Sequence, residues 1–248
     1  MEITDAIGEV PDGSPASRHL PLRGTYNVRD VGGYPADGGA VRWRTLLRAD
    51  ALHLLDDAGR AELAGLGLRT VIDLREDVEL ETAPDALDGV GATILRNPVF
   101  GQRFFDLPAD LQGIYDVMVE DCGPTLAAAV AELCEPGALP ALVHCTAGKD
   151  RTGLVIALTL SVAGVADDEI VADYVLSNTY LGSESVDHLR AASGLGEGFR
   201  PTFRYCGPEL ILGALDRIRA EHGGVVEYLL AHGLTEAQLS ALRATLVA

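Results

Sequence analysis

Apolar positions along the chain follow two rhythms, and their succession predicts a mixed α/β domain. Leu46–Ala49 and Thr70–Leu74 are short apolar runs that read as strands. Between them Leu54, Leu55, Ala58, Ala61, Leu63, Ala64 and Leu66 recur at helical spacing, completing a strand, helix, strand unit. Ala92–Val99 predicts a further strand, and Leu107–Glu120 and Pro124–Leu133 predict helices, the second with its proline in the first turn, where the missing N–H costs nothing. The intervening Phe100–Asp106, with Gly101, Arg103, Phe104 and Phe105, reads either as a cover over a site or as a loop anchored in the core.

Ala141, Leu142 and Val143 form a wholly apolar strand that runs into His144 and Cys145, and Thr152–Ala163 then reads as a buried helix. Asp167 or Asp168 can cap a helix carrying Ile170, Val171, Tyr174 and Val175, and three more helices are expected at Pro208–Glu221, Val225–Leu230 and Glu236–Leu246. Ser193–Pro201 holds three glycines and a proline and is the expected flexible break. Residues 1–23 lack periodicity and read as a loose arm, leaving residues 24–248 as a single domain without internal repeats.

Composition narrows what such a domain binds. With 48% hydrophobic and 23% charged residues the chain is neither disordered nor fibrous. A net charge of -18 argues against nucleic acid as a partner, because capture of a long polyanion needs clustered Lys and Arg. No apolar run is long enough to span a bilayer, so no integral membrane contact is expected. Cys122, Cys134, Cys145 and Cys206 match no metal-ligand spacing and do not suggest a disulfide scaffold, so a cytoplasmic setting is expected and no metal or cofactor is called for. Cys122, Cys134 and Cys206 read as small buried apolar residues.

The chemistry is expected where the apolar strand meets the buried helix. His144-Cys145-Thr146-Ala147-Gly148-Lys149-Asp150-Arg151-Thr152-Gly153 contains C-x5-R between a strand and a helix start. Five residues suffice to wrap successive N–H groups around an anion, with the helix N-terminus adding positive potential. Those donors and Arg151 favour a negative sulfur, so Cys145 is expected to react as a thiolate. Arg151 offers a planar fork for two phosphate oxygens, a job lysine does poorly. Thr146, Ala147, Gly148, Lys149, Asp150 and Arg151 are thus the expected phosphate-binding loop. Thr152 is placed to hydrogen-bond the sulfur, and His144 to orient the loop.

This loop resembles the signature of the cysteine-dependent phosphatase superfamily. Its G-K-D-R form is similar to that of bacterial tyrosine and dual-specificity phosphatases related to mycobacterial protein tyrosine phosphatase B. Asn27-Val28-Arg29-Asp30-Val31-Gly32-Gly33-Tyr34, Val71-Ile72-Asp73-Leu74-Arg75 and Ile170-Val171-Ala172-Asp173-Tyr174 resemble further stretches of that family, so the likeness runs from about Asn27 to the C-terminus. It implies a protein tyrosine phosphatase-like fold, a central mostly parallel sheet flanked by helices, with the site at a strand's C-terminal end and extra helices as a candidate lid from Phe100–Glu120 and Ser177–Tyr205.

The resemblance also implies hydrolysis of a phosphorylated protein or phosphoinositide through a phosphocysteine, with phosphotyrosine the leading substrate and phosphoserine or phosphothreonine further ones. A general acid is then needed. Asp150 inside the loop is the first candidate and Asp73 at a strand end the second, while Asp106, Asp110 and Asp116 lie where a separate acid loop would be, without its W-P-D. Asp150 has the alternative of simply pairing with Lys149. Lys149 reads either as a grip on a second phosphate or as a rim lysine. Arg29, Asp30 and Arg75 read as structural, and Gly32 and Gly33 as turn residues. Two other classes fit the same loop: a phosphate-reading module without turnover, and a thiolate-based redox or sulfur-transfer enzyme.

Overall fold

The computed structural model describes residues 18–195, 198 and 205–248. Its main sheet has five strands: β1 (Arg29–Asp30), β4 (Leu46–Ala49), β5 (Thr70–Asp73), β6 (Thr93–Arg96) and β7 (Ala141–His144), while β2 (Pro35–Ala36) and β3 (Gly39–Ala40) form a separate hairpin. The order across the sheet is β1-β4-β7-β5-β6, antiparallel only at the β1 edge. The expected mostly parallel sheet is present, with β7 at its centre.

Side-chain alternation along the strands builds two apolar layers. Leu46, Ile72 and Val143 point into one buried cluster, and Leu47, Val71 and Leu142 into the other. The smaller layer is closed by α1 (Asp57–Gly65), whose first turn is capped by Asp56 accepting from the Gly59 amide. α2 (Asp77–Thr82) follows β5 directly. The larger layer is closed by α3 (Leu111–Glu120), α4 (Gly123–Cys134), α5 (Asp150–Ala163), α6 (Asp167–Val175), and, beyond α7 (Ser177–Tyr180) and α8 (Val186–Ala192), by α9 (Pro208–His222), α10 (Val225–Ala231) and α11 (Glu236–Leu246). Buried almost all round, α5 is the axis of this layer and ends at Gly164, left-handed at φ 81°.

Predicted and observed elements differ where local polar chemistry intervenes. The helix expected from Leu107 starts at Leu111, because Pro108 interrupts it and Asp110 caps it through the Gly113 amide. The strand expected over Ala92–Val99 shortens to Thr93–Arg96, ahead of Pro98. Of the arm expected over residues 1–23, residues 1–17 lie outside the described ones. Arg18 is not loose, since it is buried, donates to the Gly32 carbonyl and lies 3.7 Å from the centre of the Tyr34 ring. Most of the expected break at Ser193–Pro201 also lies outside the described residues. Among those described, no helix is long and apolar enough to cross a membrane.

The strand register sets the geometry of the site. Ala49 and Asp73 both pair with His144, so β4, β7 and β5 end flush. Cys145 therefore leaves the sheet between two strand ends, and the chain turns through residues 146–149 into α5.

Candidate active site

The turn from β7 to α5 is held by its carbonyls. Asn27 Nδ2 donates to Ala147 O at 2.9 Å and to Gly148 O at 3.2 Å, and Arg48 Nη2 donates to Gly148 O at 2.8 Å. The Ala51 amide donates to Thr146 O at 3.0 Å. With the carbonyls drawn outward, the amides of residues 146–152 donate to no acceptor among the described residues. That leaves a run of N–H groups at the start of a helix, the donor set of an anion nest. Gly148 is needed here: its φ is 63°, and a Cβ would lie 2.3 Å from Ala49 O.

The side chains that pin the loop are themselves fixed by Asp173. Its carboxylate takes Arg29 Nε at 3.1 Å and Arg48 Nη1 at 2.5 Å, all three side chains being buried. Burial opposes the charge on Asp173, but Arg29 and Arg48 outweigh it and hold its pKa below the usual carboxylate range. Arg29, Asp30 and Arg75 do not line the cavity. Arg29 serves Asp173, and Asp30 accepts from the amides of Gly32 and Arg44.

Cys145 sits at the floor of a cavity of about 310 Å³ and is only 2% exposed. Thr146, Ala147, Asp150 and Arg151 share its lining, with Phe100, Phe104, Leu107 and Ile114 as apolar wall. The Thr152 hydroxyl is buried and takes no hydrogen-bond partner among the described residues. Both regions expected as cover contribute wall. In the first, Gly101–Asp106 is a 3-10 turn anchored by Phe100 and Phe104 and by Glu76, which accepts from the Phe100 amide at 2.8 Å; Leu189 and Ser193 come from the second region.

Arg151 is held by a residue the sequence did not single out. Glu79, in α2, takes Nη1 at 2.6 Å and Nη2 at 2.7 Å, and also accepts from the Thr146 hydroxyl. Burial alone would lower the Arg151 pKa, but Glu79 raises it, so the guanidinium stays charged beside Cys145. The available signal was a carboxylate placed just after the D-L-R strand end, in a helix that begins there.

Three expectations about charged residues resolve differently. Asp150 lines the cavity beside Cys145 and also pairs with Lys149, Nζ to Oδ1 being 2.9 Å. The Lys149 ammonium is not a phosphate ligand in this geometry: it is 1% exposed, donates to Tyr205 O at 3.1 Å and does not line the cavity. Asp73 is likewise corrected as an acid. It is wholly buried, outside the cavity lining, and bound by Arg75 through Nε and Nη2 at 3.0 Å each.

His144, expected to orient the loop, is fully buried with Nε2 3.3 Å from Asp85. Asp73, Asp85 and His144 bring three potential metal ligands within 4.8 Å of one another. The Arg75 guanidinium already bonds both carboxylates, at 3.0 Å and 2.7 Å, and supplies the positive charge such a site would seek.

A thiol beneath unengaged amides, with a fixed guanidinium beside it, is the arrangement of the cysteine-dependent phosphatase class. The comparisons define it further: the model of the tyrosine phosphatase family matches residues 20–248, and the chain belongs to that family. A tyrosine-protein phosphatase of Nostoc commune is 31% identical over 98% of this chain and 83% of its own length. The triple specificity protein phosphatase PtpB of Mycobacterium tuberculosis is 35% identical over 71% of this chain and 72% of its own. Among solved structures, TpbA of P. aeruginosa is a distant likeness at 21% identity and TM-score 0.37, covering 69% of this chain and 86% of that one.

Proposed function

We propose that the protein hydrolyses phosphomonoesters, phosphotyrosine in proteins first among them, through a phosphocysteine on Cys145. The observation that carries the reading is the run of amides at residues 146–152, without acceptors among the described residues, that directly follows a buried thiol in the chain. Arg151 keeps its Nη1 and Nη2 end on Glu79, which leaves Nε–H and the second Nη2–H as the edge turned to phosphate, at the expense of the long 3.4 Å contact to Thr146. Cys145 attacks phosphorus, the ester oxygen departs with a proton from Asp150, and water then cleaves the S–P bond with Asp150 taking a proton back. Thr152 offers its hydroxyl to the departing sulfur.

The walls favour an aryl ester. Phe100, Phe104, Leu107 and Ile114 suit a phenyl ring better than the short polar reach of phosphoserine. The name of the mycobacterial relative extends the reading to more than one kind of phosphoester.

The test is phosphate release from p-nitrophenyl phosphate, a phosphotyrosine peptide, a phosphoserine peptide and a phosphoinositide, without added metal. Wild type is expected to turn over the aryl esters fastest, with Cys145→Ser inactive. A silent wild type that still binds phosphate would replace this reading with that of a phosphate-binding module.

A further inference from the structure

Asp150 does not stand alone at the cavity edge. The Tyr115 hydroxyl, from α3, donates to Asp150 Oδ1 at 3.1 Å, and the Tyr174 hydroxyl, from α6, lies 2.8 Å from that of Tyr115. Each hydroxyl has one hydrogen, so with Tyr115 donating to Oδ1 the Tyr174 hydroxyl bonds Tyr115 as the donor, with the Cys206 sulfur as its alternative acceptor. The two rings meet edge to face at 86° with centroids 6.4 Å apart, and both are buried. Lys149 Nζ reaches the same Oδ1. Tyr115 and Lys149 therefore both donate to one carboxylate oxygen, while Oδ2 accepts no hydrogen bond among the described residues and Asp150, 23% exposed, lines the cavity beside Cys145.

We propose that Tyr115, backed by Tyr174, is the positioning residue that turns Asp150 Oδ2 toward the reacting ester and stabilises the carboxylate left when its proton is handed over. The inference rests on Asp150 being the acid of the proposed reaction. As the P–O bond breaks, its electron pair stays on the leaving oxygen and Oδ2 hands that oxygen its proton, leaving a carboxylate. Tyr115 and Lys149 stabilise that carboxylate at Oδ1 and keep the ring of bonds from rotating Oδ2 away. In the second step the carboxylate takes a proton from the attacking water while the S–P bond breaks and its electrons return to sulfur.

The tyrosines are suited to stay donors throughout. Burial, then the charge of Asp150, pushes the Tyr115 pKa well above its ordinary value, and the same two causes push up Tyr174. The other titratable groups facing Asp150 are Lys149, Cys206 behind Tyr174, and Cys145 and Arg151 across the cavity. Cys206 is pushed up to about 11 by burial, so it adds no charge at neutral pH.

Removing the Tyr115 hydroxyl takes a hydrogen bond from the charged form of Asp150, so that form is less stabilised in the variant. The experiment is the pH profile of kcat/KM on a phosphotyrosine peptide for wild type, Asp150→Asn, Tyr115→Phe and Tyr174→Phe. Asp150→Asn is expected to lose the alkaline limb. Tyr115→Phe is expected to move that limb up by about one pH unit with a lower kcat and nearly unchanged KM, and Tyr174→Phe to move it the same way by less. If Asp150→Asn loses the limb but both phenylalanine variants keep it at the wild-type position, the positioning role is overturned while the acid assignment stands. If Asp150→Asn keeps the limb, the acid assignment fails and the positioning role falls with it. Should Tyr115→Phe not fold, Tyr174→Phe alone decides, since an unmoved limb in that variant refutes the relay.

Discussion

Replacing Asp173 by asparagine tests whether one carboxylate organises the phosphate-binding loop. Asp173 is 1% exposed and is bonded by Arg29 at 3.1 Å and Arg48 at 2.5 Å. Asparagine keeps the shape and removes the charge, so two buried guanidiniums would face each other uncompensated; burial and Arg48 already depress the Arg29 pKa while Asp173 opposes them. Breaking a buried ion pair by removing one partner costs about 3–5 kcal/mol. Against a typical total of about 5–15 kcal/mol, that is roughly a fifth of the stability or more. The loss should reach the site, because Arg48 holds the Gly148 carbonyl and Arg29 bonds Asn27, which holds the same carbonyl. Urea denaturation followed by far-UV circular dichroism, with p-nitrophenyl phosphate turnover on the same samples, gives both readouts. The expected outcome is a lower midpoint at unchanged slope and at least a hundredfold loss of kcat below the transition. A variant with the wild-type midpoint and wild-type kcat would refute the claim that Asp173 shapes the loop.

Three further outcomes follow from the same geometry. Gly148→Ala forces a side chain into φ 63° and against Ala49 O, about 1–3 kcal/mol of backbone strain before the overlap is relieved, so thermal melting and kinetics should show activity lost far more than stability. Thr152→Val removes a buried hydroxyl that has no partner among the described residues, so the melting temperature should hold or rise slightly, while stopped-flow assays should show an intact product burst followed by turnover about tenfold slower. The Asp85 and His144 pair gives stability a pH window. Burial opposes the charge on each, but their mutual attraction prevails, raising the pKa of His144 and lowering that of Asp85 to about 2. The His144 contribution is full below about pH 6.5 and fades as pH rises through the higher folded value, and the Asp85 contribution is full above about pH 4 and fades as pH falls through about 2. Urea midpoints of wild type minus Asp85→Asn should therefore peak between those limits, and a difference independent of pH would contradict the pairing.

Much of this was legible because it is written locally. The apolar run Ala141–Val143, the C-x5-R spacing and the helix pattern from Thr152 place the proposed nucleophile, the guanidinium and the run of free amides within one stretch of chain. Helices with a cap or an early proline, such as those from Pro124 and Pro208, were equally readable. What escaped was decided by tertiary proximity. Glu79 belongs to a short helix with no apolar stripe, so nothing in its own segment announces that it meets Arg151. Lys149 reads from sequence as a grip on a second phosphate or as a rim lysine, whereas the side chain is drawn inward by the Tyr205 carbonyl and Asp150. Asp73 sits in a strand-end motif that gives its position, but not that Arg75 folds back to engage both its oxygens.

The way the loop is pinned bears on how the protein acquires activity. Asn27 reaches a carbonyl 120 residues further along the chain and Arg48 one 100 residues further. Contacts of such separation form late, after their loop-closure entropy has been overcome. A partly folded chain can hold its helices and even its central strands, yet its amides will still turn to water rather than converge. Regain of phosphate binding during refolding should thus lag behind regain of secondary structure, making catalysis itself a reporter of the last native contacts to close.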